Sequence, residues 1–341
     1  MSETPSVCCG NPACKVAENG QCIEGLKPAN SCSHYGKTPT AAEDVAAALE
    51  VPPPPPVVRF SDAQKVSLDR ATQLLRQRPS RVVAILGPYA SGKTTLIAGL
   101  YGLFLNAPLA SFEFARSATL HAFERACHLS RLASGRATSA TERTERGTFG
   151  FFHLDLAHAA TQECHTLLLG DRAGEDYMEA TNSVAAAQSF AEVQRATTIT
   201  LLVDGAQLAL IEHRHNVIGD IELLLQALVE AEVIGPTQQL AIVLTKLDLV
   251  DAAPDAARAR AAFDGLTSSL TDRYKGIFAS IKVFLTAASP ASTTTPNGLG
   301  ISELLHYWMT PPPHLPKPPS RAPITPWRAI GRLAPLENDR E

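Results

Sequence analysis

No run of 18 or more uncharged apolar residues occurs in this 341-residue sequence, which excludes an apolar segment long enough to span a bilayer as a helix. The first residues, MSETPSVCC, lack both a basic stretch and an apolar one, so no export signal is expected and the chain is expected to be cytoplasmic. A strong charge of either sign is missing too. The net charge of −4 leaves no overall electrostatic footprint for nucleic acid, and no nucleic-acid partner is expected. Seven cysteines without an export signal are expected to be thiols or metal ligands, since disulfides belong to oxidising compartments. No Cys-x2-Cys pair is present, so the most specific zinc spacing is absent. What remains is an ordinary apolar fraction of 45%, enough for one large domain with appendages.

The most informative segment is Gly87-Pro-Tyr-Ala-Ser-Gly92-Lys93-Thr94, which follows the apolar run RVVAIL and opens the helix-compatible stretch TTLIAGLYGLFL. A strand ending in a glycine-rich turn at a helix N-terminus aims several backbone N–H groups, and the positive end of the helix dipole, at one anion. Gly87, Ala90, Ser91, Gly92, Lys93, Thr94 and Thr95 are therefore the candidate phosphate cradle of a nucleoside triphosphate. Lys93 would neutralise charge on the β- and γ-phosphates, and the Thr94 hydroxyl would face Mg²⁺. The bland alternative is a glycine-rich turn with no ligand.

Three downstream segments, each at the end of an apolar run, narrow the base to guanine. In TLLLGDRAGE, Asp171 and Gly174 match Asp-x-x-Gly, where the acid holds Mg²⁺ through a water and the glycine N–H senses the γ-phosphate. In AIVLTKLDLV, Thr245-Lys246-Leu247-Asp248 resembles the [Asn/Thr]-Lys-x-Asp motif. The Asp248 carboxylate can accept from both N1–H and the 2-amino group of guanine, donors that adenine does not present together, while the Lys246 stem covers the base. In IKVFLTAAS, Thr286-Ala287-Ala288 is similar to the Ser-Ala-x loop whose backbone N–H meets guanine O6. Acidic residues commonly end strands, so each segment is weak alone and their order after the P-loop carries the argument.

Over about residues 80 to 310 the chain thus resembles a P-loop GTPase of the translation-factor-like class. GPYASGKTTL, TLHAFERACHLSR, the Asp-Arg-Ala-Gly-Glu segment and the cysteine-rich leader look like the bacterial double-GTPase family of predicted conflict systems. That resemblance implies a regulatory or defence-associated GTPase, with GTP/GDP and Mg²⁺ as cofactors, acting with a protein partner. The implied fold is α/β, a P-loop NTPase G domain whose mostly parallel sheet has one antiparallel hairpin and helices on both faces.

Organisation along the chain fits that expectation. Residues 1–45 form a cysteine-rich leader, 46–59 a Pro-rich linker, 60–310 the G domain and 311–341 a Pro-rich tail. A helix is expected over SDAQKVSLDRATQLLRQRPS with Ser61 as N-cap and Gln64 completing a capping box. Strands are expected at about 81–86, 150–157, 164–170, 198–204, 239–245 and 281–286, and helices at about 93–104, 179–194, 214–232, 254–275 and 301–308. FFHLDLAH and CHTLLLG lie too close for a parallel crossover and predict a hairpin. The 77 residues from Thr94 to Asp171 exceed what a minimal G domain needs, so an insertion near the first switch is expected, with SFEFARS as an extra strand and LHAFERACHLSRLA as a helix. The Arg-rich segment after it reads either as a solvated loop or as the first switch, whose threonine would be Thr144 or Thr148, with resemblance favouring Thr144.

Several departures bear on hydrolysis. Glu175 stands where many GTPases carry a water-orienting Gln, and its added negative charge points to slow turnover. Lys93, Thr144, Gly174 and Glu175 are accordingly the candidate catalytic set, with Thr94 and Asp171 as Mg²⁺ residues. Tyr89 is bulky at a position where small GTPases leave room for a partner's arginine finger, which makes Arg143 or Arg146 a candidate in cis, although charge runs such as theirs usually mark a solvated face. Ala90 occupies the place of the Asn that binds the ion in potassium-activated relatives, so potassium dependence is not expected.

In the leader, Cys9, Cys14, Cys22 and Cys32 would complete a four-thiolate zinc site, with Cys8 and His34 as spare ligands, against the alternative of reduced thiols. Cys127 and Cys164 fall in apolar runs and are expected in the core. The first switch, the Asp171–Tyr177 segment and the leader together form the expected surface for an unidentified protein partner.

Overall fold

A computed structural model describes residues 8–11, 13–37, 64–130, 144–290 and 294–312. The Pro-rich linker, the tail beyond residue 312 and Arg143 lie outside the described residues. The chain divides into two units, Met1–Val58 and Arg59–Glu341.

In the first unit, α1 (Val16–Asn19) ends at Gly20 in the left-handed conformation. An antiparallel bridge joins Cys9 to Tyr35, and Gly10 and Gly36 donate to the carbonyls of His34 and Cys8. Val16 is the one buried apolar side chain among the described residues there, so apolar burial contributes little to its folding.

The second unit is built on seven strands. They are β1 (Ser80–Leu86), β2 (Phe112–Arg116), β3 (Phe149–His158), β4 (Cys164–Arg172), β5 (Thr198–Asp204), β6 (Gln239–Thr245) and β7 (Ser280–Leu285). Their order in the sheet is β2-β3-β4-β1-β5-β6-β7, and β3 alone runs against its neighbours. The β3–β4 pair is the hairpin that the short connector requires, and SFEFARS supplies β2 at the edge beside β3.

Apolar runs become central strands here because helices cover both faces and leave no solvated side to alternate toward. One face packs Leu86, Leu201 and Leu244 under Leu224, Phe263 and Phe190. The other packs Ile85, Leu169 and Val243 under Ile97, Phe123 and Trp308. The helices are α2 (Leu68–Leu75), α3 (Lys93–Phe104), α4 (Leu120–Ser130), α5 (Gly174–Glu179), α6 (Val184–Gln188), α7 (Ala191–Arg195), α8 (Gly205–Ala209), α9 (Ile211–Glu230), α10 (Leu247–Ala252), α11 (Ala256–Tyr274) and α12 (Ile301–Met309).

Two helix expectations need correction. The helix before β1 does not start near Ser61, which lies outside the described residues; it starts at Leu68, capped by Ser67, whose Oγ accepts from Arg70 N at 3.4 Å. The cause is tertiary: Val66 N donates to Phe151 O (2.8 Å) and Val66 O accepts from Phe151 N (2.9 Å), which holds the chain extended along β3 until after Val66. The single helix expected at 179–194 is broken into parts of α5, α6 and α7. Ser183 is extended and caps α6, and Phe190 turns inward, 2% exposed, edge-on to Tyr177.

The sheet also fixes where a ligand can sit. β1 has β4 on one side and β5 on the other, so the connections leaving its carboxyl end diverge and open a crevice there.

Candidate functional site

Between β1 and α3 the chain makes a tight loop at that crevice. Ala90 is left-handed at φ 60° and Gly92, the α3 N-cap, at φ 95°. At Gly87 an added Cβ would lie 2.6 Å from Ser91 Oγ, so glycine leaves the space that the Ser91 hydroxyl occupies. Lys93 is 7% exposed and bends back to donate to Gly87 O (2.9 Å) and Pro88 O (2.8 Å). Burial pushes its pKa down to about 8, while the charges of Asp171 and Glu175 pull the other way. A buried ammonium at the head of a helix, with two neutral carbonyls as its bonds, has a matching counter-charge in a polyphosphate. Thr95, the third residue of α3, is half-buried beside it.

Asp171, fully buried near the end of β4, gathers the rest of the phosphate side. Thr94 Oγ1 donates to its Oδ1 at 3.4 Å and Thr144 Oγ1 to its Oδ2 at 3.2 Å, while Thr148 turns back to Glu145 O at 2.6 Å. Lys65 Nζ makes an ion pair with Oδ2. An oxygen-only set of two hydroxyls and a carboxylate suits a hard divalent cation such as Mg²⁺. Gly174 opens α5 against the P-loop, and a Cβ there would lie 2.4 Å from both Pro88 C and Tyr89 N. Glu175 follows in the first turn, half-buried.

The segments that the sequence assigns to the base lie at the ends of β6 and β7, beside the end of β5. Thr245 Oγ1 donates to Ser91 O (2.9 Å) and Val203 O (3.2 Å), fastening the Thr-Lys-x-Asp segment to the P-loop. Lys246 is left-handed at φ 54° and donates through Nζ to Asp204 Oδ2 at 2.8 Å. Asp248 sits half-buried in the first turn of α10. Leu247 N donates to Thr286 O at 3.0 Å, which sets the second base loop against the first. Within that loop the Ala287 N–H is taken by Leu299 O at 3.1 Å, and the Ala288 N–H makes no backbone bond among the described residues.

The sequence profile of the family described as Double-GTPase 2 matches residues 81–309, well over half of the chain. The chain belongs to the double-GTPase family. It is thereby a GTP-binding protein and, at a coarse level, a nucleotide-binding hydrolase. A search of the curated proteins finds no match.

Two residues of the double-GTPase site escape a motif search. Asp204 caps α8 by accepting from Ala206 N (3.0 Å) and also anchors Lys246; its only signal is an acid at a strand end before glycine. Lys65 has no local signal at all. Beside the P-loop a cleft of about 390 Å³ is lined by Tyr89, Asp204, Asn216 and Asp220, and Tyr89 is 60% exposed at this face. Arg146 does not reach toward Asp171; it lies 3.8 Å from Asp176 and 3.7 Å from Glu179, across from the start of α5.

A backbone hydrogen bond at Ile23 is the largest influence holding Cys14 below the usual thiol range. None of the seven cysteines is in a disulfide; Cys127 is buried and donates to Ala98 O at 3.3 Å, whereas Cys164, expected in the core, is only half-buried at the start of β4. Among the described residues no group of three or more His, Cys, Asp or Glu is arranged to hold a metal ion, and no helix is long and apolar enough to cross a membrane.

Proposed function

We propose that this double-GTPase is a Mg²⁺-dependent, cytoplasmic regulatory switch that binds GTP, hydrolyses it slowly, and reports its nucleotide state to a protein partner in a bacterial conflict or defence system. The observation that carries the reading is the convergence of Thr94 and Thr144 on Asp171 beside a P-loop that Gly174 touches. Thr94 and Asp171 would hold the magnesium, which would supply charge neutralisation at the β- and γ-phosphates. Lys93 adds a fixed cation in a water-poor setting, and the Gly174 N–H would bond the γ-phosphate. Thr144, which bonds that same carboxylate here, would turn to Mg²⁺ and the γ-phosphate in the GTP state and lose those contacts on hydrolysis, which would free the first switch. Asp248 and the Ala288 N–H address the guanine edge.

Glu175 raises the local negative charge, which favours slow hydrolysis. Under single-turnover conditions the purified protein should convert Mg-GTP to GDP and phosphate, and Thr144→Ala should slow this by about 100- to 1,000-fold, the order lost with one transition-state contact. Absence of turnover in the unmodified protein, with GTP still bound, supports the alternative of a GTP-binding scaffold. Tyr89, bulky and exposed at the P-loop, favours that alternative because it obstructs an incoming arginine.

For the leader we propose one zinc ion on Cys9, Cys14, Cys22 and Cys32; their spacing in the chain and the small apolar core of the unit support it, and binding would have to draw together thiols that are not arranged as a metal site in this structure. Elemental analysis of reduced, chelator-free protein should find about one zinc per chain, the count for a single tetrahedral site. Metal-free protein with four reactive thiols would overturn it.

A further inference from the structure

The Lys65–Asp171 ion pair joins residues 106 positions apart, and the structure is arranged to permit it. Gly150 is the register partner of Asp171 across the β3–β4 hairpin. An added Cβ on Gly150 would lie 2.6 Å from Lys65 Cβ, so the lysine stem crosses β3 at the one place where no side chain stands between it and Asp171. The ammonium also lies 5.4 Å from the centroid of the Phe152 ring. The backbone behind it is held on both sides of one residue: Val66 and Phe151 exchange two hydrogen bonds, and Ser67 caps α2. That helix is seated by Ala71 and Leu74 against Val82, Phe151 and Leu168. Lys65 is 28% exposed and Asp171 fully buried, so a cation is delivered from the rim onto a buried carboxylate.

That carboxylate is the one proposed to hold Mg²⁺, and its Oδ2 already accepts from both Lys65 and Thr144. An ammonium and a divalent cation cannot both sit on a single carboxylate without strong mutual repulsion. We propose that Lys65 is an intramolecular counter-ion that competes with Mg²⁺ for Asp171, so that loading with Mg-nucleotide displaces Lys65 and loosens the segment ahead of α2. The idea rests on the Mg²⁺-dependent reading above. It adds to the two switches a third nucleotide-responsive element, located N-terminal to the P-loop. A ligand shifts such an equilibrium through its differential affinity for the two arrangements, and here the difference is the charge that must leave Asp171.

Retention of a fluorescent GDP analogue, followed against magnesium concentration, tests it on the full chain. Lys65→Gln should lower the magnesium concentration for half-maximal retention by about tenfold or more, because a like charge within a few ångströms shifts occupancy by one or more logarithmic units. Lys65→Arg keeps the charge and should stay near the wild-type value. In the unmodified protein, hydrogen exchange across residues 64–70 should rise when Mg-GDP is added. An unchanged or raised midpoint in Lys65→Gln, an equal fall in both variants, or exchange that does not respond to Mg-GDP would each overturn the competition. Failure of the protein to bind GDP at any magnesium concentration would instead strike at the functional reading itself.

Discussion

Asp248→Asn should transfer nucleotide preference from GTP to xanthosine triphosphate. The carboxylate accepts from two guanine donors, whereas an asparagine amide offers one acceptor and a donor that suits the 2-carbonyl of xanthine. Hydrogen bonds to a charged group contribute roughly 1.5–3 kcal/mol each; the variant loses one outright and keeps the other only as a neutral bond, so GTP affinity should fall by about one to three orders of magnitude. The fold should tolerate the change. Asp248 is half-buried in the first turn of a short helix whose position is set by the backbone bond from Leu247 to Thr286 and by buried Val250. Competition of GTP and xanthosine triphosphate against a fluorescent nucleotide reads the exchange, and undiminished GTP affinity in the variant would count against the assigned base loop.

Gly174→Ala should separate the triphosphate from the diphosphate state. Its Cβ would meet Pro88 C and Tyr89 N at 2.4 Å, and both are backbone atoms of the P-loop that cannot simply rotate away. Overpacking of this kind forces the two segments apart, and the Gly174 N–H moves with its segment. GTP affinity should fall by about tenfold or more, the value of one hydrogen bond to a charged oxygen, while GDP affinity changes little. Paired titrations with GDP and a non-hydrolysable GTP analogue measure the split. An equal loss for both would mean that the glycine shapes the P-loop and does not sense the γ-phosphate.

Much of this site is legible in the sequence because its parts are local. RVVAIL, the glycine-rich turn and the following apolar helix are contiguous, and β1, the loop and α3 fall within a residue of where spacing puts them. The hairpin is equally legible, since a connector of residues 159–163 leaves no other pairing. What local pattern missed depends on distant partners. The start of α2 is decided by the hydrogen bonds that Val66 makes to Phe151, and no capping residue near 61 could reveal them. The break between α6 and α7 reflects Phe190 turning in to pack on Tyr177, a preference absent from helical periodicity. Spacing could not choose between Thr144 and Thr148, because four residues in a loop can face any direction; in the structure Thr144 reaches the Asp171 carboxylate while Thr148 turns back to Glu145 O. Asp204 and Lys65 matter through Lys246 and Asp171, each far away in the chain.

The most direct test of the central claim is equilibrium binding of GTP, GDP and ATP to the full chain in the presence of magnesium. Two charge-assisted bonds from Asp248 to guanine, which adenine cannot match, predict that GTP binds at least about 100-fold more tightly than ATP. Equal affinity for the two triphosphates would contradict it.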